Sequence, residues 1–279
     1  MFNRILVPTD FTPKSSNALK VAVDIAKKTD SIIDLLHIVE TPLILKEQHG
    51  EKVLSNLASD LIEISNRKLD YIKSSYSDQD VIIKTRTKVD ELPDKVAELI
   101  TADDYDLIVI GGNIVYQFYE FVGKSNPERV VELARCPVLV LNSMVDKFKI
   151  NKLVLPSSLD NSIVKVIDQI REIKAFFQAE IEVLFVNTPN NFKSTEEIKI
   201  AWKKFKGLHD IHDMSLTIHN DYSIKKGIIN HSKQNDVDLI LLTSKHSSKP
   251  LSVLSGDITE YLVNHEDQPV LTFNLKNNV

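Results

Sequence analysis

The chain has 279 residues, 43% hydrophobic and 26% charged, which is ordinary globular composition and long enough for two compact domains. A formal net charge of −5 with a pI near 5.9 argues against a nucleic-acid surface, and no apolar run approaches membrane-spanning length. The single cysteine, Cys136, cannot form an internal disulfide, so a reducing cytoplasm is the expected location.

The opening MFNRILVPTDF does not read as a signal peptide; it runs straight into a first strand ending at Pro8-Thr9-Asp10. Thr12 and Pro13 then read as the cap and first turn of an amphipathic helix carrying Leu19, Val21, Ala22, Ile25 and Ala26. A second strand is expected from Ile32 to Glu40, a long helix from about Glu47 to Ser74, and a third strand near Val81 to Thr87. A helix through Val96, Leu99 and Ile100 precedes a fourth strand, LIVI, and a glycine loop. The last helix is marked by Ser125-Asn126-Pro127-Glu128, and PVLVLN closes the first half. After a polar segment, Met144 to Ile150, the order repeats: strand KLVLPSS, helix from about Leu159 to Gln178, strand EIEVLFVN, a shorter helix near Thr195 to Leu208, strand SLTIHN, and a helix near Ile224 to Lys233. Alternation of strand and helix predicts a parallel, doubly wound sheet of about five strands in each half.

The repeat is literal in one stretch. Asp106 to Asn142 returns as Asp238 to Asn274 without a gap, so that Asp106/Asp238, Glu128/Glu260, Pro137/Pro269 and Asn142/Asn274 share one offset (238−106 = 132). Two homologous domains follow, 1–145 and 146–279. Four of the seven glycines, Gly111, Gly112, Gly123 and Gly256, fall in the two repeated loops. In parallel sheets the loops at the carboxyl ends of the strands are where ligands sit, so these loops are where function is expected.

The segments VPTDF, LLHIVE, DLIVIGG, GKSNPERVV and CPVLVLN, in that order, resemble the universal stress protein family in its tandem two-domain form, over almost the whole chain twice. The resemblance implies two doubly wound parallel five-stranded sheets of flavodoxin-like/Rossmann-like, adenine nucleotide alpha hydrolase-like kind, which pair through their last strands as an intrachain pseudo-dimer. It implies a cytoplasmic stress-response protein whose ligand is an adenine nucleotide (ATP, ADP or AMP), with magnesium as companion ion. It names no catalytic residue, no metal-ligand set, and no nucleic-acid or membrane partner; a homodimer and an unknown protein partner are left open.

Nucleotide-binding members carry G-x-x-G, nine residues, then G-[S/T]: glycines let backbone N–H groups reach phosphates, and the hydroxyl and helix N-terminus hold their charge. The first domain has Gly111, Ile114, Lys124 and Ser125 at these positions, and the second has Thr243, His246, Gly256 and Asp257. The family aspartate that holds the nucleoside is Asp10 in the first domain and Ser158 in the second. The resemblance therefore puts one site in the first domain, from Pro8, Thr9, Asp10, Ile38, Ile110, Gly111, Lys124, Ser125 and Asn126. The losses favour a rival, a protein-interaction module that binds no nucleotide, and a slow ATPase is a second rival. Plainer readings stand beside these. Asp10 caps a turn, His37 is a hydrogen-bonded core residue, Tyr116, Phe118, Tyr119 and Phe121 fill the phosphate space or face a partner, and His209 and His212 with their aspartates, and His219 nearby, have ligand chemistry suited to a metal such as zinc but read as a polar loop between helix and strand.

Overall fold

The computed structural model describes residues 2–40, 51–90, 97–98, 101–112, 126–160, 163–164, 166–244 and 256–275. The chain divides into two compact units, Met1–Asp146 and Lys147–Val279.

In the first unit β1 (Arg4–Pro8), β2 (Ile32–Glu40), β3 (Ile82–Asp90), β4 (Leu107–Gly111) and β5 (Val138–Leu141) alternate with α1 (Pro13–Thr29), α2 (Glu51–Ser74) and α3 (Asn126–Leu133). The strands are parallel and run in the order β3-β2-β1-β4-β5, which is the Rossmann order and not the flavodoxin one. β1, β4 and β5 are apolar and buried almost throughout, as strands covered on both faces must be. α1 starts where the sequence places it: Thr12 is the N-cap, its hydroxyl accepts from Ser15 N–H, and Pro13 occupies the first turn. Its buried side, with Ala18, Leu19, Ala22, Ile25 and Ala26, lies on β1 and β4, while α2 lies on β2 and β3.

The second unit repeats the plan with β6 (Lys152–Pro156), α4 (Ile167–Phe177), β7 (Glu180–Asn187), α5 (Thr195–His209), β8 (Ser215–Asn220), α6 (Ile224–Gln234), β9 (Leu239–Ser244), α7 (Gly256–His265) and β10 (Val270–Asn274). Its strand order is β8-β7-β6-β9-β10, again parallel. α5 is shorter than α2, as expected, and a capping box between Ser194 and Glu197 fixes its start. One boundary differs from expectation. Leu159 and Asp160 form a bend, and α4 begins only at Ile167, with no side-chain cap at Val166.

The two units share features that the repeated sequence encodes. Asp106 Oδ2 accepts from the N–H groups of Asn3 and Arg4 at 2.8 and 2.9 Å, and Asp238 Oδ2 accepts from those of Asn151 and Lys152 at the same distances. The aspartate before β4 and β9 thus clamps the first residues of β1 and β6, at the end of the sheet away from the loops. A buried carboxylate on the second strand is also common to both. Asp34 meets Arg4 at 2.7 Å and Arg86 at 3.4 Å, whereas Glu182 meets Lys152 at 3.3 Å and His231 at 3.1 Å. Among the described residues no helix is long and apolar enough to cross a membrane.

Candidate functional site

In the first unit the chain leaves β1 toward β2 and leaves β4 toward β5, in opposite directions, so a crevice opens at the carboxyl ends of β1 and β4. Pro8 closes β1, and Thr9 N–H donates to Leu36 O at 2.8 Å, carrying the pairing with β2 one residue further. Ile38 and Ile110 are buried behind this rim. Gly111 ends β4 against the first turn of α1: a Cβ built there would lie 2.7 Å from both C and O of Lys14. Only a residue without a side chain lets the helix start approach the strand this closely.

Asp10 divides its two oxygens. Oδ1 accepts from Thr12 N–H at 3.0 Å and from the Thr12 hydroxyl at 2.6 Å, which is the turn-capping role expected of an aspartate after a strand. Oδ2 is buried and has no hydrogen-bond partner among the described residues. The turn itself is tight: Phe11 takes a left-handed φ of 64°, and its N–H donates to Thr9 Oγ1 at 3.1 Å. The second unit builds the same turn, with Leu159 at φ 61° donating to Ser157 Oγ at 3.0 Å. The turn therefore belongs to the fold, and the free carboxylate oxygen belongs to the first unit.

His37 has a neighbour that the sequence did not reveal. Its Nδ1 lies 2.7 Å from Thr9 O; a carbonyl only accepts, so Nδ1 carries the proton and Nε2 keeps its lone pair. Burial lowers its pKa, Lys68 lowers it further, and the ring is neutral at pH 7. It stands half-buried, its centroid 4.3 Å from that of Phe11, and so belongs to the rim of the site and not to the deep core.

The described residues thus bring together Pro8, Thr9, Asp10, Ile38, Ile110 and Gly111 around one crevice. Asn126 begins α3, while Lys124, Ser125 and the aromatic run from Tyr116 to Phe121 lie outside the described residues. An adenine nucleotide fits what is present. A buried acceptor oxygen without a donor suits a nucleoside hydroxyl or amine, and the start of α1 offers the positive end of a helix.

The second unit departs at this place. Thr243 stands at the end of β9 where Gly111 ends β4, and its side chain is buried. Ser158 replaces Asp10, its Oγ buried without a partner among the described residues. The three histidines of the loop region go to different places. His209 is buried against Phe205 at the end of α5, His212 lies 3.0 Å from Asp210 at the surface, and His219 on β8 faces His231 at 5.6 Å. Among the described residues no group of three or more metal-ligating side chains is found.

Sequence and structure comparisons agree with this architecture. The profile of the universal stress protein family matches residues 1–142 and 164–274. A universal stress protein of Methanocaldococcus jannaschii is 28% identical over 143 residues, covering 50% of this chain and 82% of that protein. One from Synechocystis is 29% identical over the same length, covering 50% of this chain and 86% of its own. The crystal structure of a universal stress protein from Archaeoglobus fulgidus superposes with a TM-score of 0.69 at 14% identity, covering 98% of this chain and 96% of that one, and so shows the fold. With the family profile matching in both halves, on a doubled five-stranded plan, the chain belongs to the universal stress protein family.

Proposed function

We propose that the chain is a cytoplasmic stress-response protein that binds one adenine nucleotide in its first unit and acts by binding, not by turnover. The observation that carries the reading is the buried Oδ2 of Asp10, without a partner among the described residues, beside the Gly111 approach. A desolvated acceptor left unmet costs about 1–3 kcal/mol, and a nucleoside donor recovers that cost on binding. Lys124 and Ser125, which follow Gly123 in the sequence, are assigned to the phosphates and their magnesium.

The second unit is assigned a structural or regulatory role. Thr243 and Ser158 replace the two residues that build the first site, and Asp257 would repel phosphate in that loop. That observation also supports the rival reading of a protein-interaction module in which neither unit binds nucleotide. Calorimetric titration of the full chain with ATP, ADP and AMP in magnesium, beside Asp10→Ala, separates the two. Saturable binding lost in the variant supports the nucleotide reading. Folded protein that gives no heat with any nucleotide leaves the interaction module as the function.

A further inference from the structure

Beside the β1–α1 turn, Phe11 and one face of α2 border an open surface groove lined by Phe11, Arg67, Lys68, Tyr71 and Ile72. The four helix residues fall at helical spacing, so they present one continuous wall opposite the phenyl ring. The lining is mostly apolar, as in small-molecule sites, and Arg67 and Lys68 are the charged residues along it. Tyr71 is 78% exposed, so the wall is accessible.

The charges on this wall are not equivalent. Arg67 is paired with Glu63 one turn earlier on α2. Lys68 has no carboxylate partner among the described residues; its ammonium lies 4.9 Å from the centre of the Phe11 ring. On its other side the wall meets His37 through Phe11, and that imidazole is neutral. The groove therefore offers an aromatic face, an aliphatic floor and one cation that has no carboxylate partner among the described residues. The second unit has the same turn but a leucine, Leu159, in place of the phenyl ring.

We infer that this groove is a binding site for a small planar aromatic anion, its ring held between Phe11 and Tyr71 and its carboxylate, sulfonate or phosphate on Lys68. Stacking on aromatic faces and a cation held close to a ring are both stronger where water is displaced, so ring and charge contribute together. The groove adjoins the nucleotide site through Phe11, which follows Asp10 in one turn, but neither Asp10 nor Gly111 lines it.

The test uses the full chain and the fluorescent probe 1-anilinonaphthalene-8-sulfonate, an aromatic sulfonate with a planar naphthalene ring. Saturable fluorescence with about one probe per chain is expected, weakened about tenfold by Lys68→Glu and also by Tyr71→Ala. Lys73→Glu, in the last turn of α2 and outside the groove lining, should leave it unchanged, as should saturating ATP. Circular dichroism melts establish that each variant is folded, and Lys68→Gln, which removes charge without reversing it, should fall between wild type and Lys68→Glu. The inference is overturned if no saturable signal appears or if Lys68→Glu binds as wild type. It is also overturned if ATP displaces the probe one for one, because the groove is then an arm of the nucleotide pocket.

Discussion

A methyl group at residue 111 would meet the first turn of α1, because the Cβ position lies 2.7 Å from Lys14 C and O and 3.1 Å from Ser15 N. These are backbone atoms of a capped helix start, so relief must come from moving the turn and not from rotating a side chain. Forcing extra volume into a well-packed contact costs about 1–3 kcal/mol. For a unit of this size each kcal/mol is worth about 2–4 °C, so Gly111→Ala should lower the melting temperature by about 2–12 °C. Gly207 supplies the control: a Cβ there meets nothing within 4 Å, on an exposed position of α5. Gly207→Ala should stabilise by about 0.5–1 kcal/mol, since it removes only the conformational freedom of glycine in a helix. Thermal melts of the two variants beside wild type therefore predict shifts of opposite sign. Because the displaced turn carries Asp10 and Thr12, Gly111→Ala should also weaken ATP binding. A Gly111→Ala protein that melts at or above wild type would refute the described packing of α1 on β4.

Three further outcomes follow from other parts of the molecule. Asp238→Ala removes the acceptor for two strand-start N–H groups and should cost about 1–2 kcal/mol in denaturant unfolding, with Asp238→Asn costing less because one oxygen remains. Burial alone would push Glu182 up, but hydrogen bonds from Thr217 and His231, with the charges of His231 and Lys152, hold it below the usual carboxylate range. The unfolded chain then binds a proton at this group at a higher pH than the folded chain, so its contribution is present above about pH 4.3 and is lost as pH falls through the folded value. Acid unfolding of Glu182→Gln should accordingly be flatter than that of wild type in this window, and an unchanged slope would count against the assignment. Burial pushes the Cys136 thiol up to about 12, so alkylation at pH 8 should be about a thousandfold slower in the folded protein than in urea.

Much of the fold could be read from local pattern. β2 and β8 lie where the sequence places them, and Thr12-Pro13 caps α1 as its chemistry demands. Contacts between distant residues could not be read in this way. The start of α4 is expected near Leu159, whereas the helix runs from Ile167, and no side-chain cap at Val166 marks that start in the sequence. The repeated Asp106 and Asp238 were conspicuous in the sequence, yet their role as clamps on strand starts emerges only from the hydrogen bonds. At the site, Asp10 and Gly111 were legible because glycine and a strand-ending aspartate have few local uses. His37 was read as core; its partner, the Thr9 carbonyl, is 28 positions away, and its packing on Phe11 has no local signature.

The central claim is one nucleotide site per chain, built on Asp10 and absent at Ser158. Calorimetric stoichiometry with ATP and magnesium tests it most directly, comparing wild type, Asp10→Ala and Ser158→Ala, each shown to be folded. The account predicts about one ATP per chain in wild type and in Ser158→Ala, and none in Asp10→Ala. Two equivalents in wild type, or loss of binding in Ser158→Ala with retention in Asp10→Ala, would contradict it.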